Sequence, residues 1–99
     1  MAYQIELSPQ AEEHLAGFTA RHQAIIVSAI ETQLRHQPGV ETRNRKRMRP
    51  NQLAPWELRI DNFRVYYDIQ TRPALLVLVL AVGVKIGNRV FIGGKEVQL

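Results

Sequence analysis

The sequence predicts a single α+β domain over residues 1–99, with two N-terminal helices packed on a small, twisted, mainly antiparallel sheet in the order β-α-α-β-β-β. Three observations predict it. Helical spacing runs through the first third of the chain, strict alternation of apolar and polar residues fills 56–69, and the run LLVLVLAV at 75–82 has no polar face. Two independent cores would be crowded into 99 residues.

Tyr3, Ile5 and Leu7 alternate with Gln4 and Glu6, the period-two pattern of a short strand with one buried face. Ser8 follows as a helix cap, and Pro9 occupies a first-turn position where its missing N–H costs nothing. Ala11, Leu15 and Phe18 then share a helical face, weakened by Gly17 near its end. A second helix begins near Arg21, carries Ile26, Ala29, Ile30, Gln33 and Leu34 at helical spacing, and is stopped by Pro38-Gly39. Trp56, Leu58 and Ile60 form one face of a strand whose other face is Glu57 and Arg59, and Asp61-Asn62 supplies a turn. The returning strand places Phe63, Val65, Tyr67 and Ile69 on one side and Arg64, Tyr66 and Asp68 on the other. Pro73 closes the next connection, and the apolar run after it reads as a central strand, with a further short element near Val90 to Ile92.

Composition narrows the function. There is no cysteine, which excludes disulfides, thiolate catalysis and thiolate metal sites. The start, MAYQIELSPQ, lacks the basic segment and apolar run of an export signal, so the expected location is the cytoplasm, with no membrane partner. Charge is divided unevenly: residues 1–42 hold two basic and five acidic side chains, residues 43–99 eleven and four. The second part therefore carries +7 and the first −3, for a net of +4, and the second suits phosphates or an acidic protein partner.

The densest signal is TRNRKRMR at 42–49, where Arg43, Arg45, Lys46, Arg47 and Arg49 place five cations in seven positions. Such density gains affinity for a polyanion through counterion release, and arginine clamps a phosphate with two parallel donors. The plainer alternative is a solvated loop or an edge strand kept unpaired by its charge. Arg59 and Arg64 are expected on one face of neighbouring strands, and Lys85 just beyond the central strand completes a cationic site able to stabilise charge on a phosphate under attack. Ordinary surface pairing of Arg59 with Glu57 or Asp68, and of Arg64 with Asp61, is the competing expectation. Glu57, ionised beside arginines, is the candidate base for a ribose hydroxyl. Tyr66 shares the face of Arg64 and is a candidate to donate a hydrogen bond or to stack on a base. His14, His22 and His36 have no ligand-like spacing, and the glycines lack the GxxxxGK[ST] order, so neither a metal nor a nucleotide cofactor is expected.

Taken together, WELRIDNFRVYYDI at 56–69, VLAVGVK at 79–85 and SPQAEEHL at 8–15 resemble the RelE/ParE toxin superfamily of type II toxin–antitoxin modules over nearly the whole chain. The resemblance implies two helices on a mainly antiparallel sheet, a cognate antitoxin as partner, and one of two targets. RelE-like members cleave mRNA in the ribosomal A site without metal, by attack of a ribose 2′-hydroxyl on the adjacent phosphate; ParE-like members poison DNA gyrase. On the RelE pattern, Arg59, Arg64 and Lys85 fall on catalytic cations, and Glu57 stands where the family has a lysine. Phe91 falls on the family's catalytic tyrosine. Lacking a hydroxyl, it can stack on a base but cannot exchange a proton. The resemblance thus implies a ribosome-dependent mRNA endoribonuclease, with a gyrase inhibitor or a non-catalytic, antitoxin-binding member as alternatives.

Overall fold

The computed structural model describes residues 2–99 and has the element order β1 (Gln4–Leu7), α1 (Pro9–Ala16), α2 (Ala20–Leu34), β2 (Arg45–Arg47), β3 (Trp56–Ile60), β4 (Phe63–Gln70), β5 (Leu76–Ile86), β6 (Arg89–Ile92) and β7 (Lys95–Val97). The strands form one sheet in the order β2-β3-β4-β5-β6-β7, all antiparallel, while β1 pairs in parallel with the first half of β5. The apolar run is the centre of the sheet, as its two-sided hydrophobicity predicts. The strand does not stop at Gly83 but continues to Ile86.

Ser8 starts α1 as predicted: its Oγ accepts from the Ala11 N–H at 3.1 Å. The same hydroxyl donates to the Leu80 carbonyl at 3.2 Å, at the bulge where Tyr66 pairs with Ala81 and Tyr67 with Val79. One side chain therefore caps a helix and ties down the irregular point of the central strand. Thr19 caps α2 in the same manner, accepting from His22 N–H at 3.2 Å. Phe18 lies just outside α1 and meets Phe63 edge-on, with ring centroids 5.5 Å apart.

The helices cover one face of the sheet. Ala11, Ile26, Ile30 and Leu34 pack there on Leu58, Val65, Tyr67, Val77, Val79 and Val82. Tyr67 donates from its hydroxyl to the Pro38 carbonyl at 2.7 Å, which pins the connection leaving α2. The other face carries a second, smaller apolar cluster of Ala54, Tyr66 and Ala81, flanked by Met48, Leu53, Leu80, Val90 and Ile92. The chain between β2 and β3 folds over this end of the sheet and leaves the other end, beside the β3–β4 turn, open.

Two features exceed the expected order. The basic segment contributes a three-residue edge strand, β2, and the C-terminus forms the hairpin β6–β7 where only a short element near Val90 to Ile92 was expected. Gly83 is required for that hairpin to approach: a Cβ there would lie 2.5 Å from the Phe91 carbonyl oxygen and 2.8 Å from Ile92 Cγ1.

Candidate nucleic-acid interface

Alternation along β3 and β4 puts Arg59 directly opposite Arg64 in register, on the face away from the helices. Like charges facing each other across a strand pair are unfavourable, so their retention needs compensation. Arg59 finds it in Glu57, donating from Nε to Oε1 at 2.8 Å. Arg64 finds it in backbone: Nη1 donates to the Asp61 and Phe63 carbonyls at 2.8 and 2.9 Å. Asp61 adopts φ 51° in the tight turn, a left-handed conformation that aspartate tolerates better than most residues. The turn that joins the strands thus also seats the arginine.

Arg64 stands between two open cavities. One, of about 500 Å³, is lined by Arg43, Asn44, Arg59, Asp61 and Arg64; the other, of about 470 Å³, by Asn62, Arg64, Val84, Lys85 and others of the β5–β6 turn. Arg59 and Arg64 are therefore neighbours on β3 and β4, Lys85 lies on the same face of β5 two residues beyond Gly83, the register partner of Arg64, and Arg43 is at the margin. The predicted pairing of Arg59 with Glu57 is also present, while Arg64 bonds the backbone of Asp61 and not its carboxylate.

A third cavity, again about 470 Å³, adjoins this row and is lined by Lys46, Arg49, Glu57, Arg59, Val90 and Leu99 among others. Lys46, Glu57 and Tyr66 are in register across β2, β3 and β4 on this face. Glu57 is only 11% exposed along its side chain, against 49% for Arg59. Asn51, which the sequence reading did not single out, shapes the rim. Its amide donates to the Arg49 and Ala54 carbonyls, and its Oδ1 accepts from the Leu53 and Ala54 N–H groups at 2.7 and 3.0 Å. The Pro50-Asn51 pair was the available signal, since asparagine commonly bonds backbone two residues on.

Four candidate residues are placed otherwise than expected. Arg45 is buried, pointing to the helix side with its register partner Leu58, where Nε donates to the Val40 carbonyl at 2.9 Å and Nη1 to the Gln33 carbonyl at 2.6 Å. It fastens the α2–β2 connection and is not on the basic surface. Arg47, exposed on the same side, lies over the Trp56 ring at 5.5 Å. Tyr66 faces the cationic side as predicted but is 0% exposed, roofed by the 48–55 segment and by β6, so it cannot stack on a base. Phe91 pairs with Val84, which pairs with Phe63, so its side chain is on the helix side and not beside Arg64. Val90 and Ile92 take the site-facing positions instead.

Burial pushes the Tyr66 phenol pKa above its usual value, and the neighbouring Glu57 carboxylate, by its charge and by favouring the protonated phenol that can donate toward it, pushes it further. Arg64 and Arg59 oppose this shift. The hydroxyl nevertheless has no hydrogen-bond partner in this conformation. Tyr67 is raised chiefly by burial, with Arg45 opposing. His14 is no plain surface residue: its Nδ1 accepts from the Val82 N–H at 3.3 Å. Among the described residues no group of three His, Asp or Glu side chains could hold a metal ion, and no helix is long and apolar enough to cross a membrane.

These features define a two-helix, seven-stranded α+β domain with a cationic, uncovered end to its sheet. Its architecture matches a chain of the toxin–antitoxin complex RelBE2 from Mycobacterium tuberculosis, with a TM-score of 0.70 and 21% identity over 86% of this chain and 100% of that one. That likeness shows a shared fold. No family model matches the sequence, and no curated protein does.

Proposed function

We propose that the protein is a RelE-like toxin of a type II toxin–antitoxin module and a ribosome-dependent mRNA endoribonuclease, with a cognate antitoxin as its resting partner. The observation that carries this reading is Arg64 seated between Arg59 and Lys85 on a part of the sheet that neither helices nor loop cover. The fold shared with a chain of a toxin–antitoxin complex supports the same reading.

In the proposed reaction, Glu57 takes the proton of a ribose 2′-hydroxyl as that oxygen bonds the adjacent phosphorus. Arg59 and Arg64 stabilise the negative charge that grows on the phosphoryl oxygens by donating to them. The bond from phosphorus to the 5′-oxygen breaks, and Lys85 supplies the proton to the leaving oxygen. The products are a 2′,3′-cyclic phosphate and a 5′-hydroxyl. Arg43, Lys46 and Arg49 hold the flanking RNA through its phosphates.

A second reading, inhibition of DNA gyrase or plain antitoxin binding, is favoured by one observation: Phe91 has no hydroxyl and faces the helices. Adding the purified protein to ribosomes programmed with a defined mRNA separates the two. New ends within the A-site codon, lost in Lys85→Ala, support the nuclease. Intact mRNA together with inhibited gyrase supercoiling supports the second reading.

A further inference from the structure

A buried hydroxyl without a partner is unusual, because leaving one unsatisfied carries its full desolvation penalty. Tyr66 is such a group, and it lies in register beside Glu57, whose carboxylate is engaged by Arg59 on the other side. The ion pair that engages Glu57 is a weak one, since Arg59 is half exposed. The pair also borders the cavity in which Lys46 and Arg49 join Arg59 around Glu57. Among the side chains lining that cavity Glu57 is the one acid against four cations, Lys46, Arg47, Arg49 and Arg59.

We propose that Glu57 is a built-in counter-ion of this phosphate site, exchanged between two partners: Arg59 while the site is empty, and the buried Tyr66 hydroxyl once a nucleic-acid phosphate draws Arg59 away. This deepens the nucleic-acid reading above and rests on it. The exchange gives the orphaned hydroxyl a use. With phosphate absent, the carboxylate neutralises Arg59 and the phenol goes without a bond; with phosphate present, Arg59 turns to the incoming anion and the carboxylate closes on the phenol. Tyr66 is then a positioning residue. It never touches the ligand, but it holds one oxygen of the displaced carboxylate in a defined place and leaves the other to accept the ribose proton. The rigid surroundings of the ring, packed by Ala54 and Ala81, fix where the hydroxyl waits.

The test uses the whole protein and a single-stranded 2′-O-methyl oligonucleotide, which cannot be cut by 2′-hydroxyl attack. Two readouts are taken: affinity, and the NMR resonance of the Tyr66 ring carbon bearing the hydroxyl, assigned by its loss in Tyr66→Phe. Binding is expected to move that resonance in the wild type and leave it in place in Glu57→Gln. Tyr66→Phe is expected to weaken affinity about tenfold, the worth of one hydrogen bond to a charged group. The Glu57→Gln variant is expected to bind more tightly than wild type, and in that background the same change is expected to have no effect. Thermal melts confirm that each variant is folded; both substitutions keep the side-chain outline.

An oligonucleotide that binds without moving the Tyr66 resonance, or a Tyr66→Phe loss that persists in Glu57→Gln, overturns the exchange while leaving the nucleic-acid reading standing. Failure of the wild type to bind at all overturns both.

Discussion

Replacing Arg45 by methionine separates the structural from the nucleic-acid-binding members of the basic segment. Methionine keeps most of the buried stem and removes the guanidinium that donates to the Val40 and Gln33 carbonyls at 2.9 and 2.6 Å. A hydrogen bond from a charged donor is worth about 1.5–3 kcal/mol net, so losing two, with some relief from water near the chain surface, destabilises the fold by about 3 kcal/mol. That is a large part of the ~5–15 kcal/mol available to a domain, and at this size it lowers Tm by about 10–20 °C. Urea unfolding measures it directly, with the midpoint expected to fall at unchanged slope. Oligonucleotide affinity, measured where the variant is folded, is expected to stay within about twofold of wild type, since Arg45 faces the helices. A variant as stable as wild type that binds RNA several-fold more weakly would refute the reasoning, because it would put Arg45 on the binding surface after all.

Four further outcomes follow from the same geometry. Lys46→Ala and Arg49→Ala are each expected to leave stability nearly unchanged and to reduce the slope of log affinity against log salt by ~0.7, one phosphate contact on a single strand; a salt titration by fluorescence anisotropy reads it. Gly83→Ala forces a Cβ to within 2.5 Å of the Phe91 carbonyl oxygen and is expected to cost about 2 kcal/mol or more in urea unfolding, with exchange-protected amides of β6 becoming labile. Ser8→Ala removes both a helix cap and the tie to Leu80, for a loss of about 1–2 kcal/mol in the same assay. Both buried phenols are raised, so the folded state holds their protons longer than the unfolded chain does, and their stabilisation, full below pH ~10, is lost as pH rises beyond it by up to ~1.4 kcal/mol per unit per phenol. Unfolding midpoints from pH 9 to 11 are expected to fall less steeply in Tyr66→Phe.

Much of this was legible because a strand's alternation is a geometric fact that needs no partner. Reading 56–69 as two alternating strands about Asp61-Asn62 was enough to set Arg59, Arg64, Glu57 and Tyr66 on one face and Trp56, Leu58, Val65 and Tyr67 on the other. What alternation alone leaves open is what covers each face. Tyr66 is on the predicted side but buried, because the segment bent by Asn51 closes over it. Arg45 and Arg47 belong to a charged run whose one apolar residue, Met48, packs on the opposite face, and their pairing with Leu58 and Trp56 reveals that they point toward the helices.

Phe91 is instructive for a different reason, since its facing was encoded locally. Gly87-Asn88 is a two-residue turn that pairs Ile86 with Arg89, and counting back from it sets Val90 beside Lys85 and Phe91 beside Val84. A hairpin's register follows from its turn, whereas alignment to the family motif compares positions without facing. Glu57 raises the opposite issue. Its pairing with Arg59 was anticipated as a bland surface contact, yet the carboxylate is largely buried among cations and next to an unpartnered phenol.

The central claim is cleavage of RNA by its own 2′-hydroxyl on the row of Arg59, Arg64 and Lys85, with Glu57 as base. Its most direct measurement is the chemistry of the ends produced when purified protein acts on a programmed ribosome. The account predicts a 2′,3′-cyclic phosphate upstream and a 5′-hydroxyl downstream of a cut in the A-site codon, both absent with the folded Glu57→Gln variant. A 5′-phosphate at the cut, undiminished cutting by Glu57→Gln, or intact mRNA with folded wild-type protein would contradict it.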